Sequence, residues 1–169
     1  MSIGAAAIVK ATAHFIEDNP NKSPEEIIAF VEDIRERTHM LFLPKALLYL
    51  RAGGRVSNLA FYGANILKIF PSIKLENGYL VPGKKYRGSF DRALKKMIED
   101  FFKSYNIDPE TVLIVGAPSV DENSKEVIYN LLKENGIEEA RWMKAGAVIS
   151  CHGGPGAIGI AGIEKIIDK

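Results

Sequence analysis

The stretch SCHGGPGA, residues 150–157, ends an apolar run in a glycine-rich turn that carries a single imidazole. Glycine permits positive φ angles and close approach of a ligand to the backbone, whereas Pro155 fixes one φ and limits the looseness of the turn. The turn is therefore a candidate binding site around which the rest of the chain is organised. The plain alternative is a tight connection between two strands with an incidental histidine, and a short glycine pattern alone does not separate the two.

Composition limits the class of protein. The chain has 169 residues, of which 47% are hydrophobic and 25% are charged, as is typical of one globular domain with a sizeable core. Its net charge of +1 gives no electrostatic case for nucleic acid or an anionic membrane as a partner, because phosphate recognition needs a concentrated basic face. No apolar run is long enough to span a bilayer, and no signal peptide is predicted. A single cysteine excludes an internal disulfide framework and favours a cytoplasmic location.

The first third of the chain predicts helices. Residues 1–19 form an apolar pattern at helical spacing without a capping residue before it, so the chain is expected to begin within a larger architecture. Ser23-Pro24-Glu25-Glu26 predicts a second helix with a capping box and a proline in its first turn. Pro44 is expected to open a short helix that ends at the paired glycines Gly53-Gly54, and Ser57 to cap a further helix over residues 58–67.

The remaining pattern alternates strands and helices. Strands are predicted at residues 39–43, 112–115, 140–144, 147–151 and 157–163, and a hairpin over residues 68–85. Ser89 is expected to cap an amphipathic helix between the hairpin and residues 112–115, and Asp121 a second one between residues 112–115 and 140–144. The alternation predicts an α/β fold, and the Asn77-Gly78 hairpin requires antiparallel pairing, so the sheet is expected to be mixed and packed by helices.

Cys151 and His152 are neighbours, which suggests a thiolate–imidazole nucleophile for acyl transfer or hydrolysis. Two observations oppose it: adjacent residues of an extended segment point to opposite faces, and a cysteine after an apolar run is more often a small buried hydrophobe. We therefore assign no catalytic residue and keep the enzyme as the alternative. The three histidines lie far apart in sequence with no carboxylate at ligand spacing, so no metal site is predicted.

Gly53-Gly54-Arg55 is the second unusual stretch. It is explained either as a helix C-cap followed by a solvated arginine or as an anion site. As an anion site, Arg55 would offer a fork of donors, and the helix start at Ser57 would offer free backbone N–H groups. A nucleotide phosphate loop is excluded because no glycine-rich run is followed by Lys-Ser or Lys-Thr, and no cofactor is predicted.

Four stretches, taken in order, carry a resemblance to a known family. They are LRAGGRVS at residues 50–57, LKIFP at 67–71 with Asn77-Gly78 after it, GKKYRG at 83–88 and HGGPGA at 152–157. Together they resemble the bacterial DegV family of fatty-acid-binding proteins. The resemblance covers essentially the whole chain, but only the connecting helix and the C-terminal lobe of that family. It implies a connecting helix at residues 1–20 and a two-layer α/β lobe at residues 21–169, with an N-terminal lobe absent.

The resemblance implies a carrier and not a catalyst. DegV-like proteins bind one long-chain fatty acid with its tail buried, and some present it to a fatty acid kinase that makes acyl phosphate. By motif, His152 would contact the carboxylate, and Arg55 would lie near the head group or the kinase. The ligand-binding residues expected on this basis are Gly54, Arg55, Ser57, His152, Gly153 and Gly154. Gly153 departs from the family, which often has a hydroxyl residue there. The other hydroxyl residues of the carboxylate site belong to the N-terminal lobe, so the chain is alternatively a half-protein that works only with that lobe supplied separately.

Overall fold

The computed structural model describes residues 2–55, 68–138 and 141–166. In this part of the chain the helices are α1 (Ser2–Asp18), α2 (Pro24–Arg37), α3 (Leu48–Ala52), α4 (Phe90–Ser104), α5 (Glu122–Glu134) and α6 (Ala147–Gly153). The strands are β1 (Thr38–Leu43), β2 (Ile69–Glu76), β3 (Tyr79–Arg87), β4 (Leu113–Gly116), β5 (Arg141–Lys144) and β6 (Ile158–Ile163). A short 3₁₀ turn at Pro109–Thr111 precedes β4.

The strands form one mixed sheet in the order β3-β2-β1-β6-β4-β5. Strand β1 pairs antiparallel with β2 and β6, and β6 pairs antiparallel with β4. Strands β4 and β5 are parallel and are joined through α5, as a βαβ unit requires. The predicted mixed α/β sheet is therefore confirmed.

The β2–β3 hairpin turns at Asn77 and Gly78, which have φ angles of 49° and 79°. Positive φ at both central residues is the property that makes Asn-Gly favourable in a two-residue hairpin turn. The register shifts between Pro71 and Ile73, where a proline cannot donate to the ladder, and β3 is an edge strand that tolerates Pro82. The predicted hairpin is confirmed.

Three predicted helix starts are confirmed by their caps. The side chains of Ser23, Ser89 and Asp121 accept hydrogen bonds from the backbone N–H three residues later, and the Ser23 capping box is complete. The start predicted at Pro44 is wrong, because α3 begins only at Leu48. The ammonium group of Lys45, in the irregular segment between them, pairs with Asp121 at 2.9 Å.

Helices cover both faces of the sheet. Along β1, Leu41 and Leu43 pack in the cluster that contains α4 and α5, whereas Met40 and Phe42 pack in the cluster that contains α1 and α2. Strand β6, at the centre, is buried along its whole length, as expected of a strand that is covered on both sides. The predicted two-layer arrangement corresponds to the sheet and the helices α4 and α5 on one of its faces. Helices α1 and α2 cover the other face.

The strand predicted at residues 147–151 is wrong, because this segment forms helix α6. The N–H of Ser150 donates to the carbonyl of Gly146 at 3.0 Å, and the N–H of Gly154 donates to Ser150 at 2.9 Å. A short apolar run does not distinguish a buried strand from a helix by periodicity. Val148 is 71% exposed, which shows that the run is not buried on every side.

Helix α1 lies across the sheet with Ile3, Gly4 and Ala7 buried against it. It has 17 residues, somewhat fewer than the roughly 20 apolar residues that span a bilayer. Within the described ranges, no helix combines the length and the apolar character that a membrane crossing requires.

Candidate functional site

Helix α3 ends in a Schellman motif. Gly54 has a φ of 66°, its N–H donates to the carbonyl of Arg51 at 2.9 Å, and the N–H of Arg55 donates to Leu50 at 2.9 Å. The guanidinium of Arg55 turns back and donates from Nη1 to the carbonyl of Gly53 at 2.8 Å. The C-cap predicted at the paired glycines is confirmed, and it fixes the backbone up to Arg55.

Helix α6 ends in the glycine-rich turn. His152 lies in its last turn, and Gly154 follows with φ 80° and ψ 165°, a conformation that is essentially restricted to glycine. Gly156 has a φ of 72°, and its N–H donates to the carbonyl of Pro118 at 2.7 Å. This bond holds the turn beside the segment that leaves β4.

The two helix ends interlock through their glycines. A Cβ atom at Gly53 would lie only 2.1 Å from Nδ1 of His152, and a Cβ atom at Gly154 only 2.4 Å from Cδ2 of Tyr49. The C-cap glycine of each helix thus leaves the space that a ring from the other helix occupies. The two stretches that the sequence singled out are therefore in direct contact.

A cavity of about 240 Å³ lies next to this contact. Most of its lining residues are apolar and come from α1, β1, β4, α6 and β6, and the lining also includes three polar side chains. Among the residues that the structure describes, the polar ones are Ser2, Arg55 and His152. An apolar cavity with a few polar groups is typical of a small-molecule site.

Gly159 shapes one wall of the cavity. It pairs with Phe42 of β1 and with Val115 of β4, and all three residues line the cavity. A Cβ atom at Gly159 would lie 3.1 Å from Cβ of Phe42 and 3.1 Å from Cγ1 of Val115. Because glycine has no side chain, a trough remains between these two neighbours on the face of the sheet.

The imidazole of His152 is half-buried, and its Nδ1 atom is fully buried with no hydrogen-bond partner among the residues that the structure describes. A buried polar atom without a partner is uncommon in folded proteins and calls for an explanation. Within the described part of the chain, the ring is therefore held on this side by packing against Gly53 and not by a hydrogen bond.

A charged pair supports the other side of the turn. The side chain of Lys45 passes over Gly156, and a Cβ atom added at Gly156 would lie 2.6 Å from Cδ of Lys45. Its ammonium group reaches Asp121, the N-cap of α5, at 2.9 Å. The hydrogen bond from Lys45, followed by that from the backbone of Ser124, holds the pKa of Asp121 well below its usual range.

The predicted site residues are only partly brought together. Arg55, His152 and Gly153 line the cavity, whereas Gly54 shapes the α3 turn. Gly154 is buried beneath Tyr49. Ser57, with the helix predicted at residues 58–67, lies outside the described residues.

Cys151 is exposed and is not among the described residues that line the cavity. The expectation that it is buried is wrong. The argument that Cys151 and His152 point to opposite faces of an extended segment also fails, because this segment forms helix α6. Successive side chains of a helix nevertheless point about 100° apart, so Cys151 and His152 diverge. Of the described residues, no three with metal-binding side chains come close enough to hold an ion.

Sequence reasoning missed Lys45, Tyr49 and the apolar walls of the cavity. Their roles depend on contacts between distant segments, and an apolar wall leaves no pattern that differs from that of an ordinary core.

Comparison with known proteins identifies a family. A family model described as an uncharacterised protein of the DegV family matches residues 1–165. A DegV domain-containing protein of Clostridium acetobutylicum is 31% identical over 95% of this chain and 54% of its own length. A protein of Thermotoga maritima named fatty acid-binding protein is 35% identical over 72% of this chain and 41% of its own length. The chain thus spans about half the length of these relatives.

Solved structures share the fold. A DegV family protein from Thermus thermophilus, described by its fatty acid binding, superimposes with a TM-score of 0.77 at 24% identity, over 96% of this chain and 57% of its own. A DegV protein from Eubacterium eligens loaded with heptadecanoic acid gives 0.75 at 23% identity, over 94% and 56%. The fatty acid kinase B3 protein of Streptococcus pneumoniae loaded with linoleic acid gives 0.75 at 20% identity, over 94% and 55%.

Proposed function

This chain belongs to the DegV family, and we propose that it binds one long-chain fatty acid, with the acyl tail in the cavity above Gly159 and the carboxylate at His152. The observation that carries the proposal is that the imidazole of His152 and the side chain of Arg55 border one cavity whose other described lining residues, apart from Ser2, are apolar. The names of the relatives support it, since one is a fatty acid-binding protein and two structural neighbours were loaded with fatty acids.

The apolar wall would supply most of the binding free energy. Burying one methylene contributes about 0.8 kcal/mol, so a tail of about sixteen carbons contributes on the order of 10 kcal/mol before the cost of ordering it. The polar groups then need only to orient the ligand. A histidine suits this task because a neutral imidazole donates a hydrogen bond to a carboxylate and a protonated one pairs with it.

The chain would form only part of the site. It matches about half of each relative, and we propose that residues 1–20 are a connecting helix and residues 21–169 a C-terminal lobe that a second lobe covers. Val148 supports this arrangement, because it lines the cavity and yet is 71% exposed. The cavity therefore reaches the surface of the chain at Val148, where a second lobe would cover it.

We further propose that the chain presents its fatty acid to a fatty acid kinase and does not itself catalyse. One structural neighbour comes from a fatty acid kinase system. Arg55 is exposed at the cavity, where its guanidinium is suited to a carboxylate or to the phosphate of a kinase complex.

Binding tests the proposal directly. Native mass spectrometry of the purified chain with palmitate should show a complex of one fatty acid per chain, and His152→Gln should weaken its affinity by at least about tenfold, because a hydrogen bond to a charged group is lost. His14→Gln is the matched control, since His14 is exposed on α1 outside the cavity lining. Equal affinity of wild type and His152→Gln contradicts the assigned carboxylate site. Absence of any complex contradicts binding by this chain alone and favours the half-protein that works only with a separately supplied lobe.

The alternative of an acyl-transfer enzyme is separated by one variant. Cys151→Ser should leave the affinity for palmitate unchanged, and an acyl-reactive probe should not label Cys151 stoichiometrically. Complete labelling of Cys151 by such a probe, with turnover of a thioester or ester, would favour the enzyme over the carrier.

A further inference from the structure

His152 is held by the backbone of α3. The Cβ position of Gly53 lies 2.1 Å from Nδ1, 2.8 Å from Cε1 and 3.3 Å from Cγ of the imidazole, so the Nδ1 edge of the ring packs on the glycine itself. Functional histidines are usually oriented by a carbonyl or carboxylate that accepts a hydrogen bond from the second ring nitrogen. Here Nδ1 is buried and has no such partner among the described residues.

This packing affects where the imidazole carries its proton. A neutral imidazole has one N–H donor and one acceptor nitrogen. Buried N–H groups without an acceptor are rarer in folded proteins than acceptors that lack a donor. A proton on Nδ1 would be such a buried donor, facing the backbone of Gly53, whereas Nε2 is the nitrogen that Gly53 does not cover.

We propose that Gly53 is a positioning residue that holds the imidazole of His152 in the tautomer protonated on Nε2, so that Nε2–H is the donor offered to the carboxylate of the ligand. This inference rests on the proposed function only for the identity of the ligand. The tautomer itself is a property of the protein without ligand.

Glycine is required at position 53 because the imidazole of His152 occupies the space of a side chain, and not because of the backbone dihedral angles. Gly53 has φ −79° and ψ 1°, which any residue adopts without strain, unlike Gly54 with its φ of 66°. The three atoms nearest to a Cβ atom at Gly53 all belong to the imidazole of His152, so the substitution acts first on that ring. Gly146 is the matched control, because its φ of −70° is similar and nothing lies within 4 Å of its Cβ position.

Nitrogen-15 NMR of the histidine side chains in the ligand-free chain tests the tautomer at a pH well above the ordinary histidine pKa of about 6.5. His152 is assigned with His152→Gln, and the exposed His14 serves as the reference for an unrestrained ring. We expect His152 to show the Nε2–H tautomer without the minor form that His14 shows. An Nδ1–H tautomer, or the same mixture as His14, overturns the inference.

Gly53→Ala should shift the His152 tautomer signals towards the His14 mixture and weaken palmitate binding by about tenfold to hundredfold, because the donor is displaced. Gly146→Ala should change neither. Unaltered His152 signals in a folded Gly53→Ala variant contradict the inference. If Gly53→Ala does not fold, the tautomer of His152 in the wild type decides whether the inference holds. Failure of the wild type to bind palmitate contradicts fatty acid binding by this chain alone and leaves the tautomer result standing.

Discussion

The ring of Tyr49 lies over Gly154, where a Cβ atom would approach Cδ2 of the tyrosine to 2.4 Å. Gly154 also has φ 80° and ψ 165°, so its backbone and its surroundings both require glycine. The contact joins the end of α6 to α3 and fixes the turn that follows His152. The geometry of the candidate site thus depends on a close approach between two short helices.

Gly154→Ala should destabilise the fold by about 3 kcal/mol, which combines backbone strain with the overlap on Tyr49. Urea unfolding measures the change. Gly78→Ala is the matched control: its φ is 79° and nothing lies within 4 Å of its Cβ position, so we expect a loss of only about 1 kcal/mol. Equal losses in the two variants would show that Tyr49 does not restrict position 154.

Gly159→Ala should weaken fatty acid binding by about tenfold, because one added methyl group fills the trough between Phe42 and Val115 and changes the shape of an apolar pocket. A displacement titration with a fluorescent fatty acid measures the affinity. Gly162→Ala is the control on the same strand, since its Cβ would meet Cγ2 of Ile107 at 2.5 Å and Gly162 is not among the described lining residues. It should lower stability while the folded protein keeps its affinity, and the opposite pattern would contradict the assigned tail position.

Asp121→Ala should cost about 1 kcal/mol, because the N-cap of α5 is lost, whereas Asp121→Asn keeps a capping side chain and should cost less. The folded-state pKa of Asp121 is depressed by Lys45 and Ser124, so its contribution is present above the unfolded pKa of about 3.9 and is lost as the pH falls below it. Unfolding free energies between pH 7 and pH 2 should therefore converge for wild type and Asp121→Ala. A constant difference across this range would contradict the assignment.

Tyr86→Phe should cost about 1.5 kcal/mol at neutral pH, because the buried hydroxyl group donates to the carboxylate of Asp100 at 3.0 Å. Burial and the Asp100 carboxylate raise the pKa of Tyr86 above its usual range. This contribution is complete below the unfolded pKa of about 10 and is lost as the pH rises above it. The stability difference between wild type and Tyr86→Phe should therefore shrink above pH 10 in urea titrations, and a difference that persists there would contradict the assignment.

Several features of the fold were predictable because they depend on a few neighbouring residues. The capping box at Ser23, the Asn77-Gly78 turn and the α3 C-cap at Gly53 follow from local dihedral angles and hydrogen bonds. The wrong strand at residues 147–151 has a physical reason: a five-residue apolar run is compatible with either a strand or a helix, and only the contacts around α6 decide. The family resemblance came from the order of four motifs and is confirmed by a model match over residues 1–165.

The amino-acid sequence by itself determined the mixed α/β class, the caps and turns, and the family, and it singled out the two glycine-rich stretches as candidate ligand sites. Only the tertiary structure decided that the ring of His152 packs on Gly53, that the ring of Tyr49 packs on Gly154, and that a cavity opens beside them. The physical reason is the separation along the chain of the residues that interact. Caps and turns are set by hydrogen bonds within one or two helical turns, whereas a cavity and the orientation of a side chain arise from close packing between segments far apart in the chain.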